Sequence, residues 1–349
     1  MLAKSESMMT QKTNAQSIFL AAVILLAVVV LGGLGISTWL KNGSGNNAAP
    51  SARRPESLEK YAPYDGKLAY QHLNAICDLG KRISGSPGMI QQQQYLTQHF
   101  EKHGGQVTRQ EFQLRHPENG DQVTLTNLIA RWNPERKQRL LLCAHYDTRP
   151  YPDQDPVNPR GTFIGANDGA SGVALLCELA RHFQGLDTTY GIDIVMFDGE
   201  EFIFDSQRDP FFLGSEYFAK NYANNPREFQ YRWGVLLDMV GDKDLQIYQE
   251  RNSLIWKDTR PLVLDIWKVA RDLGISEFKS RGRHTVNDDH VPLHDIGGIA
   301  ICDIIDFDYP NTGYGPKYWH TERDVPKMCS AASLAKVGKV MLTWLERVK

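Results

Sequence analysis

The chain has 349 residues and a formal net charge of -2 at pH 7. That length suits one large α/β domain or two small ones. The near balance of charge argues against nucleic acid or an acidic membrane surface as a partner.

Residues 1–17 read as a short tail. Ile18 to Leu40 is an uncharged apolar run, long enough to cross about 30 Å of hydrocarbon as a helix. Lys4 and Lys12 precede it and Lys41 follows, and Trp39 suits a membrane interface. The run is longer than the apolar region of a cleaved signal peptide, so an uncleaved anchor is expected. A short tail of this kind stays inside, which places the bulk of the chain on the extracytoplasmic side; Arg53 and Arg54 weaken the charge asymmetry. Residues 41–55, rich in Gly, Ser, Asn, Ala and Pro, read as a flexible tether. Residues 56–349 then form the folded domain.

Within that domain, helical spacing is expected over 67–81 and 89–103, separated by the breaker Ser-Gly-Ser-Pro-Gly. Residues 106–114 and 123–132 alternate as an antiparallel pair. A repeating pattern of apolar strand and amphipathic helix follows. Its strands are 139–144, 192–197, 233–239 and 299–305. Its helices are 169–183, about 214–222, 261–273 with proline in the first turn, and about 332–348. Continuous apolar strands alternating with helices imply a mostly parallel sheet covered on both faces, with ligands beyond the carboxyl ends of the strands. Five cysteines are scattered without metal-site spacing. Cys143, Cys177 and Cys302 lie in apolar runs and are expected to be buried free thiols, while Cys77 and Cys329 leave a bridge open.

The strand ends hold the chemistry-bearing residues. The run Arg139–Ala144 leads into His145-Tyr146-Asp147, and a Pro- and Asp-rich loop then reaches Asn167-Asp168-Gly169. Ile192–Phe197 leads into Asp198-Gly199-Glu200-Glu201, and Trp233–Leu237 into Asp238-Met239-Val240-Gly241. A late loop delivers Trp319-His320-Thr321. Taken singly, Asp168 could be a helix N-cap and Glu200 and Glu201 first-turn acids. Asp238, after five apolar residues, faces desolvation unless something positive meets it.

Together these residues suit zinc in an oxygen and nitrogen site. Asp168, Glu201 and His320 supply the three protein ligands of a catalytic zinc. His145 and Asp238 could hold a second metal, with Asp168 bridging. Glu200 then faces the open position as general base, and Asp147 orients the His145 imidazole from behind.

This ordered set (His-x-Asp, Asn-Asp-Gly, Glu-Glu, Asp-Met-Val-Gly, a late His) resembles the zinc-aminopeptidase family of co-catalytic exopeptidases, from about Leu68 to the C-terminus. The resemblance implies a three-layer α/β/α sandwich around a mixed, mostly parallel sheet. Phe197–Glu201, Asn287-Asp288-Asp289-His290-Val291-Pro292 and Trp319-His320-Thr321 look most like the glutaminyl cyclases, and Ile301–Phe307 like the bacterial ones. That likeness implies conversion of N-terminal glutamine to pyroglutamate with release of ammonia. It also implies zinc on Asp168, Glu201 and His320, Glu200 as proton shuttle, Asp238 and Asp288 as a hydrogen-bonded acid pair, and Trp319 as a pocket wall. The partners are then peptide or protein N-termini, with the membrane reached through the N-terminal helix.

Two features depart from the animal cyclases. The segment 167–172 is more like the aminopeptidases, and no tryptophan follows the Glu pair in 202–212. A zinc aminopeptidase with two metals is therefore the alternative, and a binding domain that has lost its chemistry a third reading. His284, His290 and His294 cluster near Asp288. His290 is expected to set that loop, and the other two to be ordinary polar positions.

Overall fold

The computed structural model describes residues 64–225, 228–308 and 318–348. The expected tail, anchor and tether lie outside them. Among the described residues, no helix is long and apolar enough to cross a membrane.

Two capped helices open the fold. In α1 (Gly66–Cys77) the Asp65 carboxylate accepts from the Lys67 and Leu68 amides. In α2 (Pro87–Lys102) Ser86 caps Met89 N and proline occupies the first turn. α1 stops short of the expected residue 81, because a turn follows with Gly80 at φ 78°.

The strands β1 (Gln106–Arg115), β2 (Gln122–Trp132), β3 (Gln138–His145), β4 (Gly191–Phe197), β5 (Gln230–Asp238) and β8 (Ile301–Ile305) form one sheet in the order β1-β2-β4-β3-β5-β8. β1, β2 and β4 pair antiparallel; β4, β3, β5 and β8 run parallel. A second, parallel pair joins β6 (Ile247–Glu250) to β7 (Phe278–Arg283).

The central strands are buried along nearly their whole length, and their period of two sorts side chains into two cores. Leu140, Leu142, Ala144, Ile192, Ile194, Met196, Val235 and Leu237 pack with α1, α3 (Ala170–Ala180), α6 (Arg260–Asp272) and α8 (Ala331–Arg347). Leu141, Cys143, Val195, Phe197, Leu236 and Ile301 face Phe218 and Ala219 of α4 (Leu213–Asn224) and Leu293 of α7 (His290–Asp295). The short α5 (Arg251–Ile255) follows β6 directly. The result is the expected three-layer sandwich. All five cysteines are buried and unbridged, Cys77 and Cys329 included.

α3 leans closely on the sheet. A Cβ added at Gly172 would lie 2.1 Å from the Leu237 carbonyl oxygen, a backbone atom that cannot rotate away. Gly172→Ala is expected to push α3 off β5 and cost about 1–3 kcal/mol, the usual penalty of overpacking. Urea denaturation reads this as a lower midpoint; an unchanged midpoint would mean that the helix moves freely.

Candidate active site and metal centre

The strand order reverses at β3: the chain crosses from β3 to β4 on one side and from β4 to β5 on the other. Ligands of open α/β sheets bind at such a point, and the predicted residues converge there. His145 ends β3 and Asp238 ends β5, while Glu200 and Glu201 follow β4 by three and four residues. Neither simple reading of the acids holds. The N-cap of α3 is Gly169, with no side-chain cap bond. The next helix after the Glu pair begins only at Leu213, so the pair lies in a loop.

The two oxygens of Asp168 face different partners. Asp168 Oδ2 lies 3.1 Å from His320 Nε2, which is itself 3.1 Å from Glu201 Oε1. Asp168 Oδ1 lies 3.2 Å from His145 Nε2, which is also 3.2 Å from Asp238 Oδ1. The backbone here is strained: His320 has φ 116° and Met239, just after Asp238, φ 49°. Such conformations in non-glycine residues cost about 1–3 kcal/mol each and gather at functional sites.

Further groups that sequence reasoning did not single out hold the site in place. Asp324 accepts from the Asn167 and Asp168 amides at 2.8 and 3.1 Å. Ser171 Oγ accepts from Val240 N at 3.0 Å, tying α3 to the loop after Asp238. Arg149 donates to Glu201 Oε1 through Nη1 at 3.1 Å and to Oε2 through its own amide at 3.0 Å. The same guanidinium reaches Asp153 at 3.0 Å, and Asp153 Oδ1 is 3.2 Å from His320 Nδ1. Arg149 and Asp153 lie in a Pro- and Asp-rich loop without apolar periodicity, so only their proximity in space reveals them.

Asp147 faces both the Glu-Glu loop and the His145 imidazole. Its carboxylate accepts from the Glu200 and Glu201 amides at 3.2 and 2.9 Å, while His145 Nδ1 stands 3.6 Å away. Its hydrogen bonds fix the Glu-Glu loop, and its charge favours a proton on the His145 imidazole.

Glu201 and Glu200 diverge. Glu201 is buried against His320 and Arg149, whereas Glu200 is partly exposed, with His145 Nδ1 at 3.8 Å. Glu200 lines a cavity of about 390 Å³ together with Asp168, Asp238, Asp288, Trp319 and His320. The Trp319 ring stacks on the His320 imidazole at 4.0 Å, and Phe307 meets Trp319 at 5.7 Å.

Charge in the site is unbalanced. Burial pushes the Glu200 pKa well above the ordinary carboxylate value, against the pull of His145. Burial likewise lifts Asp238 to about 7, with His145 lowering it and Asp288 adding to the rise. The His320 imidazole is penalised by burial, yet Glu201, Asp153 and Asp168 raise it to about 10. The same three carboxylates that favour a proton on His320 would favour a divalent cation in its place.

The residues fit zinc. Ligand atoms of His145, Asp168 and Glu201 all lie within 4.8 Å of one another. The 3.1 Å separations from His320 Nε2 to Asp168 and Glu201 are near the roughly 3.3 Å edge of a tetrahedron with zinc–nitrogen arms of ~2.0 Å. The Asp153 contact gives the back of the His320 ring the carboxylate partner common among zinc-bound histidines. Asp153→Asn is expected to weaken zinc binding by about 10- to 100-fold, read by competition with a chromogenic chelator; unchanged affinity would make the contact incidental.

A three-layer sandwich with carboxylates and imidazoles gathered at the switch point of its sheet defines a metal-dependent enzyme of the zinc exopeptidase type. The model of peptidase family M28 matches residues 127–345, and the chain belongs to that family. It is 41% identical to the glutaminyl cyclase of Fimbriiglobus ruber, whose crystal structure superposes with a TM-score of 0.77 over 83% of this chain and 97% of that one. A Zn-dependent exopeptidase from Parabacteroides distasonis is 31% identical, with a TM-score of 0.75 over 82% of this chain and 99% of that one. The glutaminyl-peptide cyclotransferase of Bothrops jararaca is 28% identical over 75% of this chain and 76% of its own length.

Proposed function

We propose that the chain is a zinc-dependent glutaminyl-peptide cyclotransferase, converting N-terminal glutamine to pyroglutamate with release of ammonia. The observation that carries this reading is the division between the two adjacent glutamates. Glu201 is committed to His320 and Arg149, while Glu200 faces a cavity bounded by Trp319, Asp238 and Asp288. Similarity to the glutaminyl cyclase of F. ruber and the glutaminyl-peptide cyclotransferase of B. jararaca supports it.

Asp168, Glu201 and His320 are the zinc ligands in this reading. Bound zinc supplies Lewis acidity toward the side-chain amide carbonyl of the substrate glutamine. Glu200 accepts a proton from the α-amine as its nitrogen attacks the amide carbon. The new C–N bond closes the ring, the old one breaks, and Glu200 returns the proton to the departing ammonia. Its raised affinity for a proton suits that exchange. Asp238 and Asp288 hold the amine end, and Trp319 walls the glutamine side chain. Because the attack is intramolecular, orientation is the main service of the pocket.

A two-metal aminopeptidase is the second reading. The observation favouring it is His145 Nε2, equidistant from Asp168 Oδ1 and Asp238 Oδ1, a second donor set sharing Asp168. In either case residues 56–349 are the catalytic domain, with residues 18–40 anchoring it to a membrane, residues 41–55 as tether and the domain on the extracytoplasmic side. Incubation with a glutaminyl peptide tests the cyclase: one ammonia per peptide consumed is expected, and consumption without ammonia would sink it.

A further inference from the structure

Behind the pocket acids, β6, α7 and β8 bring a second polar cluster together. Glu250 ends β6, His290 opens α7, Asp303 sits mid-strand in β8, and Asp288 lies two residues before His290. All four are at most 5% exposed. Ligand atoms of Asp288, His290 and Asp303 lie within 4.8 Å of one another.

The cluster does not satisfy itself. Glu250 accepts from Asn252 N, Ser253 N and Val286 N, and Asp288 accepts from Asp289 N. Neither oxygen of Asp303 and neither ring nitrogen of His290 has a hydrogen-bond partner. His290 Nε2 stands 3.3 Å from Glu250 Oε2, and Nδ1 stands 3.9 Å from Asp303 Oδ2. Buried polar groups are nearly always paired, and each orphan needs a cause. An unpaired carboxylate in this setting costs several kcal/mol unless a proton or a cation neutralises it. Three buried carboxylates and one imidazole, with no sulfur, suit a hard or borderline divalent ion such as Mn2+ or Zn2+.

We infer that Asp288, His290 and Asp303 bind a second divalent cation, structurally distinct from the zinc on Asp168, Glu201 and His320. It fixes the inner side of Asp288, whose outer side lines the substrate cavity. His290, whose place in Asp-Asp-His-Val-Pro suits it to set this loop, does so as a ligand. The site stands whichever N-terminal chemistry the cavity performs.

Metal analysis of the full-length chain, purified from medium supplied with Zn2+ and Mn2+, tests it. Two equivalents per chain are expected, falling to one in Asp303→Asn and in His290→Gln. Asp168→Asn should also lose one and keep the other. One equivalent in the parent chain, lost in Asp168→Asn, would overturn the proposal and leave protons alone to neutralise the cluster. Two equivalents that survive Asp303→Asn but fall in Asp238→Asn would also overturn it, in favour of a co-catalytic pair. Should the variants fail to fold, anomalous diffraction from Mn2+-grown crystals of the parent chain decides: a peak between Asp288 and Asp303 supports the site, and its absence refutes it. Retention of zinc in Asp168→Asn with loss in Asp303→Asn would separate failure of the catalytic assignment from failure of this one.

Discussion

Glu200→Gln is expected to lower turnover of a glutaminyl peptide by about 100- to 10,000-fold, the range of general acid–base catalysis, while zinc content stays unchanged. The substitution keeps the shape of the side chain and removes its capacity to take a proton. Its contacts make this a clean separation: Glu200 reaches the cavity and stands 3.8 Å from His145, whereas Glu201 touches His320 at 3.1 Å. Zinc content measured beside steady-state turnover reads both quantities from one preparation. Metal loss in this variant would reverse the parts given to the two glutamates.

The second large effect is expected at His320. His320→Ala should lose zinc and turnover together, with affinity falling further than the about 10- to 100-fold cost of disturbing an outer partner. Four residues meet on this ring: Asp168 and Glu201 at Nε2, Asp153 at Nδ1, and Trp319 stacked on its face. The strained φ of 116° shows that the fold holds the residue in place against its own backbone preference. Calorimetric zinc titration checks the affinity; full zinc binding in His320→Ala would remove this residue from the ligand set.

How much of this was legible in the sequence follows from the physics of each signal. The buried strands β3, β4, β5 and β8 announce themselves as apolar runs, and a carboxylate or imidazole at or just beyond a strand end stands out because it breaks such a run. β6 and β7 gave no signal: Ile247–Glu250 is short, and Phe278–Arg283 carries Lys, Ser and two Arg without alternation. α5 and α7 span five and six residues, too few turns for a periodic pattern. The same limit hid Arg149, Asp153 and Asp324. Each works by reaching Glu201, His320 or the Asp168 backbone across space, and a loop sequence records no such distance. Asp147 was visible by its place beside His145, but its hydrogen bonds to the Glu200 and Glu201 amides depend on how β4 pairs with β3.

In the proposed reaction the cavity beside Glu200 closes a glutamine side chain on its own amine rather than cutting a peptide bond. Offering the zinc-loaded chain a glutaminyl peptide and a leucyl peptide in one mixture, and weighing the products by mass spectrometry, tests it most directly. The expected products are a glutaminyl peptide lighter by one ammonia and an intact leucyl peptide. Free leucine, with the glutaminyl peptide uncyclised, would contradict it and leave the two-metal aminopeptidase.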